Sequence, residues 1–201
     1  MKDIPDWKLW KQGIILCGVD EVGRGALAGP VFAGAVILPP FAFFPEIKDS
    51  KQLTAKARET FYSMIIKRAI AYGIGRASVT EIDKYNIRNA SFLAMRRAIE
   101  NLNHRFDLAL VDGFEIPNLD VPNQGIIDGD EKSLSIACAS IIAKVSRDRY
   151  MAKLHKKYPA YNFIENKGYP TKFHRKVLMQ IGPSAVHRKS FAPVRLALNR
   201  F

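Results

Sequence analysis

The sequence predicts an α/β domain built on a mixed sheet, and three observations carry that reading. Short apolar runs of strand length come first and alternate with longer segments of helical period. The runs over residues 14–19, 31–38, 72–78, 108–111 and 124–127 are bounded by glycine, proline or acidic residues, as strand ends are. Three of them lead into carboxylates, at Asp20-Glu21, Asp112 and Asp130. Neighbouring strand ends meet at one edge of an α/β sheet, where such sheets place their sites.

Each element follows in order. Residues 14–19 read as a buried strand and residues 31–38 as a second, closed by Pro39-Pro40. The glycine-rich segment between them is a turn, so the two pair antiparallel. Residues 54–71 carry a helical period, with Thr54 as N-cap and Phe61, Met64, Ile65 and Ile70 on the inner face. Residues 72–78 form a third strand. Thr80 opens a short helix, and residues 89–101 form another with Phe92, Met95 and Ile99 inward. The strand over 108–111 ends at Asp112-Gly113, and the strand over 124–127 ends at Asp128-Gly129-Asp130. Ser133 opens a long helix to about Lys157, and its small residues Ala137-Cys138-Ala139-Ser140 allow it to lie close on the sheet. Beyond Pro159 the chain is irregular, with short helices near residues 173–180 and 194–199. We therefore expect a single domain over residues 1–201, with about 160–201 as a small basic helical extension.

Composition narrows the function. The chain has 201 residues and a net charge of +12. From residue 144 onward, 14 Lys or Arg face only Asp148 and Glu165, so the last 58 residues carry the whole excess. Tyr150, Tyr158, Tyr161, Phe163, Tyr169, Phe173 and Phe191 are interleaved with them. Basic residues interleaved with aromatics are the expected footprint of a polyanion site, against the plainer reading of a solvated basic face. The first 12 residues mix lysines with Asp3, Asp6 and Pro5 and do not read as a signal peptide. The longest apolar stretches are too short to span a bilayer. Cys17 and Cys138 read as buried, reduced thiols, so a cytoplasmic protein is expected.

The acidic groups point to metal chemistry. Carboxylates crowded at strand ends repel one another and favour hard divalent cations bound through oxygen, Mg²⁺ or Mn²⁺. Beside Asp20-Glu21 stands Gly23-Arg24-Gly25, which offers backbone N–H groups and a donor fork to an anion. Carboxylates holding metal next to donors holding an anion suit phosphodiester cleavage. Taken singly, each acidic pair also fits an ordinary turn or a helix N-terminal charge. Gly23-x-Gly25-x-x-x-Gly29 is one residue too long for a dinucleotide fingerprint and leads into a strand rather than a helix. Zinc is disfavoured, because His104, His155, His174 and His187 lack ligand spacing and no Cys-x-x-Cys occurs. The histidines read as surface or hydrogen-bonding groups, with a phosphate contact as the alternative for His187.

The stretch Asp20-Glu21-Val22-Gly23-Arg24-Gly25-x-Leu27-x-Gly29-Pro30-Val31 resembles the signature of bacterial ribonuclease HII, a type 2 ribonuclease H. Further blocks extend the resemblance: Asp49-Ser50-Lys51-x-Leu53, Val111-Asp112-Gly113, Gly129-Asp130, Ala139-Ser140-Ile141-Ile142-Ala143-Lys144-Val145-x-Arg147-Asp148, Lys167-Gly168-Tyr169-Pro170-Thr171 and His187-Arg188-x-Ser190-Phe191-x-Pro193-Val194. It implies a ribonuclease H-like fold and a metal-dependent endonuclease. The implied reaction is hydrolysis of RNA in RNA–DNA hybrids and incision 5′ of ribonucleotides embedded in duplex DNA, leaving 3′-hydroxyl and 5′-phosphate ends. Asp20, Glu21, Asp112 and Asp130 would be the catalytic, metal-binding carboxylates for two divalent ions. Gly23, Arg24 and Gly25 would test the ribose 2′-hydroxyl, the group that separates RNA from DNA. Tyr169 would stack on the sugar at the junction. Lys51, Arg188 and Ser190 would contact the nucleic-acid backbone.

Three positions depart from the family pattern. Asp128 stands where the family usually has Lys, and in the Arg-Arg-Ser-Phe-Gly-Pro form Lys189 replaces an Arg and Ala192 a Gly. The related ribonuclease HIII lacks Gly-Arg-Gly here and carries an extra N-terminal domain, whereas about a dozen residues precede the first strand. The rival reading is a catalytically dead module that keeps the fold and binds nucleic acid. A monomer is the default expectation, with contact to a sliding clamp left open.

Overall fold

In the computed structural model, which describes residues 5–44, 47 and 53–200, five strands form one mixed sheet. They are β1 (Leu16–Val22), β2 (Val31–Ile37), β3 (Ala71–Ala77), β4 (Leu108–Asp112) and β5 (Asn123–Ile126), in the order β3-β2-β1-β4-β5. The pairs β1–β2 and β2–β3 run antiparallel, and β1–β4 and β4–β5 run parallel. The expected mixed sheet and antiparallel hairpin are therefore present.

Helices cover both faces. On one lies α3 (Val79–Glu100), over a cluster that includes Val19, Ala35, Ile82, Met95 and Val111. On the other lie α2 (Ala55–Arg68) and α5 (Leu134–Lys157), with α1 (Pro5–Lys11) at the start of the chain. The sequence reading left residues 1–12 without an element. Here α1 buries Trp10, and Asp6 Oδ1 accepts from the Ser135 amide at 2.9 Å.

The backbone of α5 touches the sheet, which is possible because glycines stand beneath it. A Cβ on Gly18 would fall 2.1 Å from the Ser135 carbonyl carbon, and one on Gly34 would fall 2.4 Å from the Ala139 oxygen. The small residues Ala137–Ser140 thus act as expected.

Several details differ from the sequence reading. Ile70 is 46 % exposed instead of facing inward. The cause is the C-cap Ala69, which is extended; Ile70 then donates its amide to Ile37 at 2.8 Å, as the start of an edge strand. The N-cap of α3 is Ser78, whose capping box with Glu81 is complete. Asn86 breaks α3 (φ 65°, ψ 165°), and its side chain caps the second half by accepting from the Asn89 amide at 3.1 Å. The two expected helices are thus one element with a break. Asp130 stands not at a strand end but in a four-residue helix, α4 (Gly129–Lys132).

After a 3₁₀ turn over Pro159–Tyr161 come α6 (Phe163–Asn166), α7 (Lys172–Ile181) and α8 (Ala192–Leu198). They close over a third apolar cluster containing Leu27, Ala28, Met151, Tyr161, Phe163, Leu178 and Val194. Tyr161 and Phe163, expected to face a polyanion, are core residues. No helix among the described residues is long and apolar enough to cross a membrane.

Gly18→Ala should destabilise the protein by about 2 kcal/mol or more, because a methyl group would press on backbone that cannot swing aside. Urea unfolding followed by circular dichroism measures this; an unchanged midpoint would place α5 further from β1 than found here.

Candidate active site

The parallel register of β1 and β4 brings the first two carboxylates together. Val19 pairs with Val111, so Asp20 and Asp112 each stand one residue further along adjacent strands. Asp20 is 6 % exposed, shares the α5 face with Gly18, and hydrogen-bonds Ser140. Burial, reinforced by the charges of Glu21 and Asp112, holds its carboxyl well above the usual carboxylate range. Glu21 is also raised, chiefly by burial, although Arg24 Nη1 lies 3.3 Å from its Oε1 and opposes the shift. Asp112 Oδ1 accepts the Gly129 amide at 2.7 Å, which ties the buried Asp130 segment to β4. Asp20, Glu21 and Asp112 thus feel one another's charge. Among the described residues, no three His, Cys, Asp or Glu side chains already stand as a formed metal site.

The turn after β1 rests on two buried arginines. Arg147 of α5 donates from Nε to Pro30 O and from Nη2 to Ala28 O, at 3.2 and 3.3 Å. Arg188 donates from Nε to Gly29 O at 2.9 Å and from Nη1 to Arg24 O at 2.8 Å. Both side chains are 0 % exposed. Burial, with Arg147 close by, lowers the Arg188 pKa to about 9. Gly23 adopts φ +96°, and a Cβ there would fall 2.2 Å from Arg147 Nε. Only glycine meets both conditions. A Cβ on Gly25 would meet open space, so that side of the turn is free to approach a ligand. Arg24 and Gly25 are exposed.

The C-terminal segment completes the surroundings. Leu27 donates its amide to Gly168 O at 2.8 Å, and the Arg188 amide donates to Leu27 O at 2.9 Å. The Tyr169 ring lies 5.3 Å from the Arg147 guanidinium. With Glu21, Val22, Arg58, Ser140, Ile141 and Lys144 it lines a cleft beside the carboxylates.

The sequence of the matched region decides the family. The sequence profile described as Ribonuclease HII matches residues 17–194. The chain belongs to the ribonuclease HII family. It is 52 % identical over 192 residues to the ribonuclease HII of Caldicellulosiruptor bescii, covering 95 % of this chain and 93 % of that one. With the ribonuclease HII of Polynucleobacter necessarius it shares 51 % over 189 residues, 92 % and 96 % of the two chains. Among solved structures, ribonuclease H2 of Pyrococcus horikoshii superposes with a TM-score of 0.77 at 25 % identity, covering 92 % of this chain and 97 % of that chain. A ribonuclease HIII solved with Mn²⁺ shares the fold at TM-score 0.68 and 17 % identity, covering 93 % and 70 %. The ribonuclease H-like fold and a nuclease, hence hydrolase, activity follow.

Some expected contacts of this chain lie elsewhere than anticipated. Arg188 is interior and spent on loop carbonyls rather than exposed to phosphate, and His187 is buried as well. The Ser190 amide and hydroxyl donate to Asp83 Oδ1 at 2.9 and 2.6 Å, and the Lys189 amide donates to Asp83 Oδ2 at 3.0 Å. Lys51 lies outside the described residues. The exposed Asp128 sits in the left-handed region (φ 53°) just before α4, a conformation Asp tolerates better than most residues. Sequence reasoning missed Asp83, Arg58 and the positioning role of Arg147. An Arg within a helical run carries no signal of burial, since arginine defaults to the surface.

Two outcomes follow. The folded state favours protonated Asp20, so its own contribution to stability is fully present at low pH and is lost as pH rises through the raised folded-state value. Asp20→Asn should therefore raise the Tm of the metal-free protein at pH 8 by about 3 °C or more, read by calorimetry; a lowered Tm would contradict the burial argument. Asp83→Ala should remove amide hydrogen-exchange protection at Lys189 and Ser190 and cost about 1 kcal/mol.

Proposed function

We propose that this chain cleaves RNA endonucleolytically in RNA–DNA hybrids and incises 5′ of single ribonucleotides in duplex DNA, leaving 3′-hydroxyl and 5′-phosphate ends. The observation that carries the reading is the placement of Asp20 and Asp112 on adjacent parallel strands, one turn away from Gly23-Arg24-Gly25, whose Arg24 and Gly25 are exposed. The donor set suits hard divalent cations: it is all oxygen, acidic and largely buried, and burial, with the neighbouring charges of Glu21 and Asp112 adding to it, raises Asp20. Asp20, Glu21, Asp112 and Asp130 would hold two Mg²⁺ or Mn²⁺ ions. Bound there, such ions supply an activated water and charge compensation at the leaving oxygen.

The protein's own residues do the rest. Ser140 and the Gly129 amide orient Asp20 and Asp112. Arg147 and Arg188 hold the 24–30 loop by its carbonyls, which leaves its exposed edge rigid against the minor groove, where the 2′-hydroxyl lies. Tyr169 offers its ring to the sugar at the junction. Arg58 and Lys144 in the cleft, with the exposed lysines of the C-terminal third, meet phosphates without regard to sequence.

The test is cleavage of a DNA duplex with one embedded ribonucleotide and of a continuous hybrid, with Mg²⁺ or Mn²⁺ and then with chelator. Intact strands in the presence of metal would leave only a binding module. Asp20→Asn should lower kcat by roughly 10²–10³-fold or more, the scale of losing one preorganised electrostatic group, while duplex binding persists. Asp128→Lys should lower KM for the duplex by restoring positive charge beside the site; an unchanged KM makes Asp128 a bystander.

A further inference from the structure

His174 of α7 and His187 of the following loop are both interior, at 0 % and 1 % exposure. Their Nε2 atoms stand 3.0 Å apart. The ends of the pair decide which way the protons point. The Ser184 amide donates to His187 Nδ1 at 3.0 Å, so that nitrogen carries no proton. In the neutral ring the proton is then on His187 Nε2, which donates to His174 Nε2. His174 in turn carries its proton on Nδ1 and donates to Tyr169 O at 2.9 Å. A directed chain of hydrogen bonds thus runs from Ser184 through both rings to the backbone of Tyr169, and neither ring has an unsatisfied nitrogen.

An additional proton breaks the chain. On His174 Nε2 it would face the His187 N–H; on His187 Nδ1 it would displace the Ser184 amide and have only Ser184 Oγ, 2.9 Å away, to accept it. The surroundings offer little help to a charge. Tyr161 lies 4.6 Å from the His187 ring and Phe163 lies 5.5 Å from the His174 ring. Met151 and Leu154 of α5 and Val194 of α8 belong to the same apolar cluster. Tyr161 titrates only at high pH, since burial raises it and its hydroxyl donates to Gly182 O. The neighbouring Arg188 directs its guanidinium to Arg24 and Gly29. The Gly168 and Tyr169 carbonyls are the acceptors that favour a protonated His174.

We propose that the neutral His187–His174 pair is a positioning device for Tyr169, fixing its backbone so that the ring favours single embedded ribonucleotides over continuous hybrids. The inference rests on the reading of Tyr169 given above. Its geometry implies a pH dependence of definite sign. Burial, and then the charge of His174, lower the His187 pKa to about 4, and burial lowers that of His174. The pair therefore stays neutral below the ordinary histidine range, about 6.5, and fails as pH falls through about 4. Only the two ring protons enter, and no bond other than N–H is made or broken.

Nitrogen-15 NMR of the histidine rings in the whole protein at pH 7.5 should find His187 protonated at Nε2 and His174 at Nδ1. Any other tautomer pair, or a charged ring, overturns the proposal. Kinetically, the readout is kcat/KM on the single-ribonucleotide duplex divided by that on the hybrid. H174N keeps an amide donor where Nδ1 was and should stay near the wild-type ratio. H174Q moves the donor to the Nε2 side and should lower the ratio roughly tenfold, with duplex affinity in chelator nearly unchanged. In a Tyr169→Ala background H174Q should add nothing. If Tyr169→Ala lowers the ratio and H174Q does not, the positioning role is wrong and the Tyr169 reading stands. If Tyr169→Ala leaves the ratio unchanged, the Tyr169 reading fails and the proposal with it. Should the His174 variants unfold, the wild-type ratio between pH 7 and about 3.5, across the His187 transition near 4, decides, because titrations shared by both substrates cancel. A falling ratio supports the device and a flat one overturns it.

Discussion

Direct contact between the backbone of α5 and the strands at Gly18 and Gly34 sets the position of almost everything else. Helix and sheet are locked at backbone distance, so the α5 side chains meet fixed points along β1 and its turn. Ser140 reaches Asp20, and Lys144 enters the cleft. Arg147 lies under Gly23, and Met151 lies under Gly29. Those four positions recur at about one helical turn. One helix face therefore orders the acidic edge, the cleft, the turn and the C-terminal cluster in a single line. Slippage of that helix by one turn would displace all of them together.

The second constraint is electrostatic. Burying two guanidinium groups with no carboxylate hydrogen-bonded to them among the described residues costs free energy, and the lowered Arg188 pKa reflects it. Four carbonyl acceptors offset part of that cost, and all four belong to residues 24–30. The loop is thereby fixed by its oxygens, which leaves its outer edge available. On the other side of β1 the opposite problem exists, with acids crowded together. Destabilising charge of both signs thus flanks the same turn, a cost that makes sense where a polyanion and cations are to meet.

The sequence revealed those features whose signal is local. Strand ends leading into Asp20 and Asp112 were readable because an apolar run stopping at an acid is a short-range pattern. The helix break was readable because the apolar period lapses around Asn86. Asp130 was placed wrongly, since a four-residue helix has no period to detect. Arg188 was expected outside, because charge argues for the surface unless a partner is known. Its partners, at Arg24 and Gly29, are about 160 residues away in the chain. The Asp83 clamp on Lys189 and Ser190 was hidden for the same reason. His174 and His187 read as separate surface or hydrogen-bonding groups, and only the fold shows them bonded to each other.

The hydrogen bonds that join residues 24–29 to residues 168 and 188 also affect the order of synthesis. A ribosome completes β1 and its turn early, yet their carbonyls find the Arg188 guanidinium only after another 164 residues. At typical elongation rates that interval is roughly ten to thirty seconds. During it the acidic strand ends can pair into a sheet, but the turn beside them lacks its support. The turn beside the acidic edge therefore gains its support late, only once residue 188 has been made.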